Sequence, residues 1–285
     1  MIEIPEAESL ARQLTETITG RRIAGVIAGL SPHKFAWYHG DPKDYDALLR
    51  GKTIDTAVAH GGMLEIRAGD AVLLFSDGVS LRFHTRDEKR PRKHQLLIEF
   101  EDATAISASV QMYGGLWCFR EGEFRNPYYD AARAKPSPLS NEFGRVYFER
   151  LITSPDVQKL SAKAFLATEQ RIPGLGNGVL QDILHKARIH PKRKVETLSD
   201  GEKETLFHSV KSNLKEMTAQ GGRDTTRDLF GKPGGYRTRL SQITADKPCP
   251  VCGGTIVKQP YMGGSIYFCD ECQKLNNNRV QMKSN

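Results

Sequence analysis

The sequence predicts an α+β protein: an N-terminal helix with an antiparallel β-sandwich, then a helical domain carrying a C-terminal zinc ribbon. Three observations lead there. Before residue 134 the apolar residues fall in short β-prone runs, and beyond it they take helical spacing. The stretch Ala134-Lys135-Pro136-Ser137-Pro138-Leu139-Ser140 breaks the pattern at the switch. Near the end stand two close cysteine pairs, Cys249-x-x-Cys252 and Cys269-x-x-Cys272. Three domains follow: 1–133 the β-sandwich, 134–244 the helical domain and 245–285 the ribbon.

The first element is a helix. Pro5 and Glu6 suit a first turn, Leu10, Ala11, Leu14 and Ile18 recur at helical spacing, and Gly20 closes it. From Arg22 to Cys118 strand follows strand: RIAGVIA, FAWYHG, TIDTAVAH, MLEIRA, AVLLFS, SLRFH, HQLLIEF, ATAISASVQM and GLWCF. Such a run without long helices implies an antiparallel sandwich or flattened barrel. Cys118, inside GLWCF, reads as a small buried hydrophobe.

Helices take over beyond the break. Ser140 is expected to cap NEFGRVYFERLI, Ser154 to lead into DVQKLSAKAFLAT, Asn177 to begin GVLQDILHKA, and Ser199 to cap DGEKETLFHSVKSNLKEMTAQ before Gly221-Gly222. The glycine turn Pro173-Gly174-Leu175-Gly176-Asn177 opens one of these helices. Exposed N–H groups at a positive helix end suit a phosphate, and Lys163, one helix earlier, can add charge.

In the ribbon, Thr255-Ile256-Val257 and Ser265-Ile266-Tyr267-Phe268 read as two strands around a Met262-Gly263-Gly264 tip. Four thiolates from two such pairs match a closed, structural zinc site, one ion per chain. Two disulfides are the rival reading; they need an oxidising compartment, and the start MIEIPEAESL lacks an apolar signal region. The expected location is therefore the cytoplasm, and no apolar run approaches the roughly 18 residues of a membrane span. Asn276-Asn277-Asn278 is the one low-complexity stretch.

Composition points to a polyanionic partner. The 285 residues include 41 Lys plus Arg against 34 Asp plus Glu, a net charge of +7, with basic clusters at Lys192-Arg193-Lys194 and at 86–93, the latter interrupted by Asp87 and Glu88 and equally readable as a solvated loop.

Together these pieces resemble the formamidopyrimidine-DNA glycosylase and endonuclease VIII family of base-excision repair enzymes. The likeness covers the whole chain: Glu3, Pro5 and Glu6 at the start, the sandwich, PLSNEF, GLGN with IHP, GKPGGY, and the four-cysteine end. It implies a helix–two-turn–helix in the second domain and a monomer acting on double-stranded DNA that contains damaged bases. It also implies base flipping and glycosidic cleavage by an N-terminal proline amine, followed by strand-cutting elimination.

Position by position, the resemblance makes Glu3 the catalytic glutamate and Glu6 its second N-terminal glutamate. Lys163 and Asn177 become phosphate ligands, with Gly174 and Gly176 in the turn beside them. Gln111, Met112 and Tyr113 match the loop that fills the gap left by the flipped base. Three positions depart from the family. Ile2 replaces the proline nucleophile, and its bulk is expected to impede removal of Met1. Gly62 and Gly264 stand where the family has a phosphate-binding lysine and arginine, a loss that speaks for a non-catalytic DNA-binding protein or for an altered lesion to which glycine gives room. The expected activity is glycosylase chemistry on Glu3 with weak or absent lyase, using water or the α-amine of Met1 or Ile2. A catalytically silent damaged-DNA-binding protein is the alternative.

Overall fold

The computed structural model describes residues 1–275, which form two compact units. The first comprises 1–137, 172–175 and 214–237; the second comprises 138–171, 176–213 and the chain from 238 onward. The Asn276–Asn278 tract lies outside the described residues. No described helix is long and apolar enough to cross a membrane.

In the first unit, helix α1 (Ile4–Ile18) begins at Glu3, carries Pro5 in its first turn and ends before Gly20, whose φ is 82°. Its Ala7, Leu10, Leu14 and Ile18 are buried, one face of a 3.6-residue period. Strands β1 (Ile23–Ala28) and β2 (Ala36–Trp37) and a short helix α2 (Tyr45–Leu49) follow. Next come β3 (Thr56–His60), β4 (Met63–Ala68), β5 (Ala71–Ser76), β6 (Val79–His84), β7 (Leu96–Phe100), β8 (Ala105–Val110) and β9 (Gly114–Arg120). One sheet has the order β1-β7-β8-β6 and the other β2-β9-β5-β4-β3. The pairing is antiparallel as expected except at one edge, where β2 runs parallel to β9 through Ala36↔Gly114 and Trp37↔Gly115.

One apolar cluster draws Leu14 and Ile18 together with Leu73 and Phe75 of one sheet and Ile98 and Ile106 of the other. The alternate residues of β5, Val72 and Leu74, join a second cluster with Trp117, Phe119 and Tyr129. Both faces of β5 are thus covered, which explains its unbroken AVLLFS. Tyr129 comes from helix α3 (Pro127–Ala134), which the strand pattern did not announce; Asn126, accepting from the amides of Tyr128 and Tyr129, and Pro127 are its start signals. Cys118 is buried, and burial pushes its thiol up to about 12, as befits an unreactive core residue.

A buried carboxylate, Glu65, ties β4 to its neighbours. It pairs with His60 Nε2 at 3.0 Å and accepts from Arg67 Nε and the Tyr129 hydroxyl. Burial alone would raise its pKa, yet these three donors hold it at about 2, below the ordinary 4.5. A depressed carboxylate stabilises the fold fully above its unfolded pKa and loses that contribution as pH falls through the folded value. Glu65→Gln is accordingly expected to lower stability by about 3 kcal/mol at pH 7. The gap to wild type should narrow in urea melts taken from pH 5 towards pH 2, and a pH-independent gap would exclude this role.

In the second unit, helix α4 spans Arg145–Thr153 with Gly144 at its N-cap, four residues later than the expected cap at Ser140. Phe143 is fully buried ahead of it, and Lys211 Nζ donates to the carbonyls of Ser140 and Phe143, holding that segment as a turn. The helix expected after Ser154 also starts late: a single 3₁₀ turn at Pro155–Val157 precedes α5 (Ala162–Ala167), whose cap is Ser161. Ser161 pairs with Lys194 in an isolated bridge, so the chain is extended at the point where a longer helix would have run through. Helix α6 (Asn177–Lys186) begins at Asn177 as expected. Helix α7 (Asp200–Ala219) starts from a capping box, with Ser199 Oγ accepting from Glu202 N–H and Glu202 accepting from Ser199 N–H.

The ribbon is the antiparallel pair β10 (Ile256–Tyr261) and β11 (Gly264–Cys269). Its tip is the two-residue turn Met262-Gly263, with φ of 52° and 70°, the positive values that tight hairpins require.

Candidate active site and nucleic-acid interface

Glu3 and Glu6 are both buried and form the reciprocal capping box of α1, with Glu3 N–H donating to Glu6 Oε2 at 3.3 Å. The cap role and a chemical role therefore fall on the same residue. Between the two carboxylates sits Arg223, also buried, which sequence reasoning did not single out. Its Nε donates to Glu6 Oε1 at 3.0 Å, its Nη2 to Glu6 Oε2 at 2.8 Å and its backbone N–H to Glu6 Oε1 at 3.1 Å. Its Nη1 lies 3.6 Å from Glu3 Oε1. Burial would raise Glu6, but the Arg223 guanidinium, by charge and hydrogen bond, holds it below the ordinary carboxylate value.

A bidentate fork fixes a carboxylate in plane as well as position. Arg223 thus orients Glu6 directly and Glu3 through the shared cap. Arg223→Met is expected to cost about 3–5 kcal/mol, since it strands a buried carboxylate. Arg223→Lys should recover part of this without restoring the fork. Urea unfolding of both variants checks the order, and equal losses would contradict it.

Beside this cluster lies a cavity of about 170 Å³ whose lining includes Met1, Ile2, Glu6, Gly78, Gln111 and Thr226. Ile2 is buried, and its nitrogen is a peptide amide donating to Asp77 O at 2.6 Å. Gln111 N–H donates to Gly78 O and Gly78 N–H to Tyr113 O, so the loop expected to fill a flipped-base gap borders the cavity through Gln111. Met112 is 66% exposed, while Tyr113 leans on Trp37 with ring centroids 5.8 Å apart, outside the sandwich core.

The turn at Gly61-Gly62 departs from expectation. A Cβ at Gly62 would lie 3.0 Å from Gly174 Cα and 3.2 Å from Ile2 O. That space is filled by backbone, so Gly62 serves close packing and opens no room for a lesion. Gly174, at φ 78°, is the other half of the contact, since a Cβ there would meet Gly62 N at 2.0 Å. Its carbonyl accepts from Ile4 N–H at 3.1 Å, tying the turn to the start of α1.

The second unit gathers the other predicted donors. Lys163 Nζ donates to Tyr261 O at 2.7 Å, and Asn177 Nδ2 to Ser265 O at 3.0 Å, one carbonyl on each strand of the hairpin. Gly176 is the N-cap of α6. A Cβ on Gly264 would find Asn177 Nδ2 at 3.7 Å and Lys163 Nζ at 3.9 Å, both ordinary contacts. Lys163, Asn177 and Gly264 therefore share one spot at the hairpin tip, and there the glycine does leave space.

The sulfurs of Cys249, Cys252, Cys269 and Cys272 lie within 4.8 Å of one another, and all four are free thiols. Neighbouring pairs are 3.8, 3.5 and 3.4 Å apart. A tetrahedral zinc with Zn–S of about 2.3 Å requires S···S of about 3.8 Å, so the cluster fits such an ion. Cys252 is drawn down to about 7, chiefly by the Gly254 amide, while burial pushes the thiols of Cys269 and Cys272 up. His185 Nε2 stands 3.3 Å from Cys249 Sγ, in place to steady that sulfur.

The formamidopyrimidine-DNA glycosylase N-terminal domain matches residues 1–111 of this chain. A formamidopyrimidine-DNA glycosylase of Symbiobacterium thermophilum is 32% identical over 282 residues, covering 96% of this chain and 89% of that protein. One from Listeria monocytogenes is 29% identical over 286 residues, 96% of this chain and 100% of its own. Among solved structures, Lactococcus lactis Fpg in complex with DNA containing an abasic site superimposes with a TM-score of 0.81 at 25% identity, over 95% of this chain and 99% of that one. The wild-type Lactococcus lactis protein with DNA containing N7-benzyl-Fapy-dG gives 0.81 at 26%, with the same coverage.

Proposed function

This chain belongs to the formamidopyrimidine-DNA glycosylase family, and from that premise we propose that it is a DNA-repair glycosylase. It binds damaged duplex DNA, turns the damaged base out of the stack and hydrolyses its N-glycosidic bond, with AP-lyase activity weak or absent. The observation that carries the reading is the buried Glu3–Glu6–Arg223 cluster beside a cavity at the start of α1. In the reaction the bond from sugar C1′ to the base nitrogen breaks, and the base departs with its electron pair and takes up a proton. A water oxygen bonds to C1′, and Glu3 accepts the proton that this water loses.

Weak lyase activity follows from Ile2. Its nitrogen is an amide engaged with Asp77 O, so the secondary amine that a leading proline would offer is missing, and a Schiff base would have to form on the primary α-amine of Met1, or of Ile2 where Met1 is removed. Lys163, Asn177 and the α6 N-terminus at Gly176 hold a DNA phosphate, and Gln111, Met112 and Tyr113 occupy the gap in the duplex. Zinc on the four thiolates keeps the hairpin in shape and takes no part in bond making.

The test is release of free base from duplexes carrying oxidised purines, oxidised pyrimidines or alkylated bases, read by mass spectrometry. At least one lesion should yield its base. Selective binding of damaged duplex with no base released would favour a damaged-DNA-binding protein, the reading for which the displaced nucleophile at Ile2 speaks.

A further inference from the structure

Two lysines converge on one tyrosine at the ribbon. Lys163 Nζ lies 5.8 Å and Lys192 Nζ 5.2 Å from the centroid of the Tyr261 ring. Lys163 is only 5% exposed, and among the described residues neither ammonium has a carboxylate within 4.0 Å. Burial lowers Lys163's pKa, the mark of a cation held without a counter-charge. Two like charges on one ring repel, and a cation–π contact holds each of them without neutralising it. Two ammonium groups gathered on one ring suit an anion.

We propose that Lys192, held by Tyr261, is a DNA-phosphate ligand that supplies the cation Gly264 does not, completing one anion site with Lys163. The site takes a backbone phosphate of duplex DNA and reads no base. This rests on the proposed DNA-binding function and adds a residue that the resemblance does not supply. Its neighbour Lys194 differs: it is exposed and already faces Glu196 at 3.9 Å.

Duplex affinity measured across salt concentrations tests this. Lys192→Ala should weaken damaged and intact duplex alike, by about fivefold, and reduce the slope of log K against log salt by about 0.9, the value of one phosphate. Lys194→Ala should leave the slope unchanged. Tyr261→Phe should keep the slope and Tyr261→Leu lower it, because the ring is the holding surface. Gly264→Arg in the Lys192→Ala background should restore the slope, since a side chain at 264 enters the same cluster. An unchanged slope in Lys192→Ala, or an equal drop in Lys194→Ala, overturns the assignment. If wild type binds and releases base while Lys192→Ala shows no change, only this inference falls; if wild type binds no duplex, the proposed function falls with it.

Discussion

Glu3→Gln is expected to abolish base release, by a factor on the order of 10²–10⁴, while leaving the fold and duplex binding in place. Glutamine has the shape and the acceptor oxygen to keep its place at the head of α1, but it cannot take a proton from water. Arg223 retains its fork to Glu6 after the change, so the buried guanidinium keeps a counter-charge and the loss of stability is small. Single-turnover excision alongside thermal unfolding separates the two effects. A variant that excises at the wild-type rate would remove Glu3 from the chemistry, and one that unfolds would contradict the small stability loss expected here.

Loss of metal should have the second large effect. A two-stranded hairpin is marginal by itself, and this one gathers four sulfurs at its base that could hold a metal ion. Lys163 and Asn177 both donate to hairpin carbonyls, so freeing the hairpin also releases the two donors proposed to bind phosphate. Chelation, or Cys269→Ser, is expected to lower zinc content from one ion per chain towards none and duplex affinity by on the order of 100-fold. Zinc analysis with a binding titration on the same sample checks this. Full affinity in a metal-free chain would show that the hairpin stands without it.

Much of the fold was legible because local chemistry agrees with it. The alternation of the strands, the Ser199 capping box, Asn177 at the head of α6 and the paired cysteines are short-range signals, each read within a few residues. The helix starts at Ser140 and Ser154 misled because a serine marks a turn as readily as a cap, and tertiary contacts from Lys211 and Lys194 decided which. Helix α3 is too short to show a period.

The site was harder to read. Glu6 and Arg223 are 217 residues apart, and nothing local in the segment after Gly222 announces a partner for an N-terminal carboxylate. Lys192 appeared as one member of a basic cluster, and only the ring of Tyr261 sets it apart from Lys194. Gly62 could not be read from the chain at all. A missing lysine suggests space, whereas the backbone of Gly174 and Ile2 fills it.

Strand scission on a lesion duplex with and without alkali tests most directly whether this chain works as a glycosylase through Glu3 without a proline amine. Wild type should generate alkali-labile sites, few or no breaks should form without alkali, and Glu3→Gln should generate neither. Breaks that form readily without alkali would show that an amine in this chain performs the elimination. Alkali-labile sites that persist in Glu3→Gln would contradict the role of Glu3 itself.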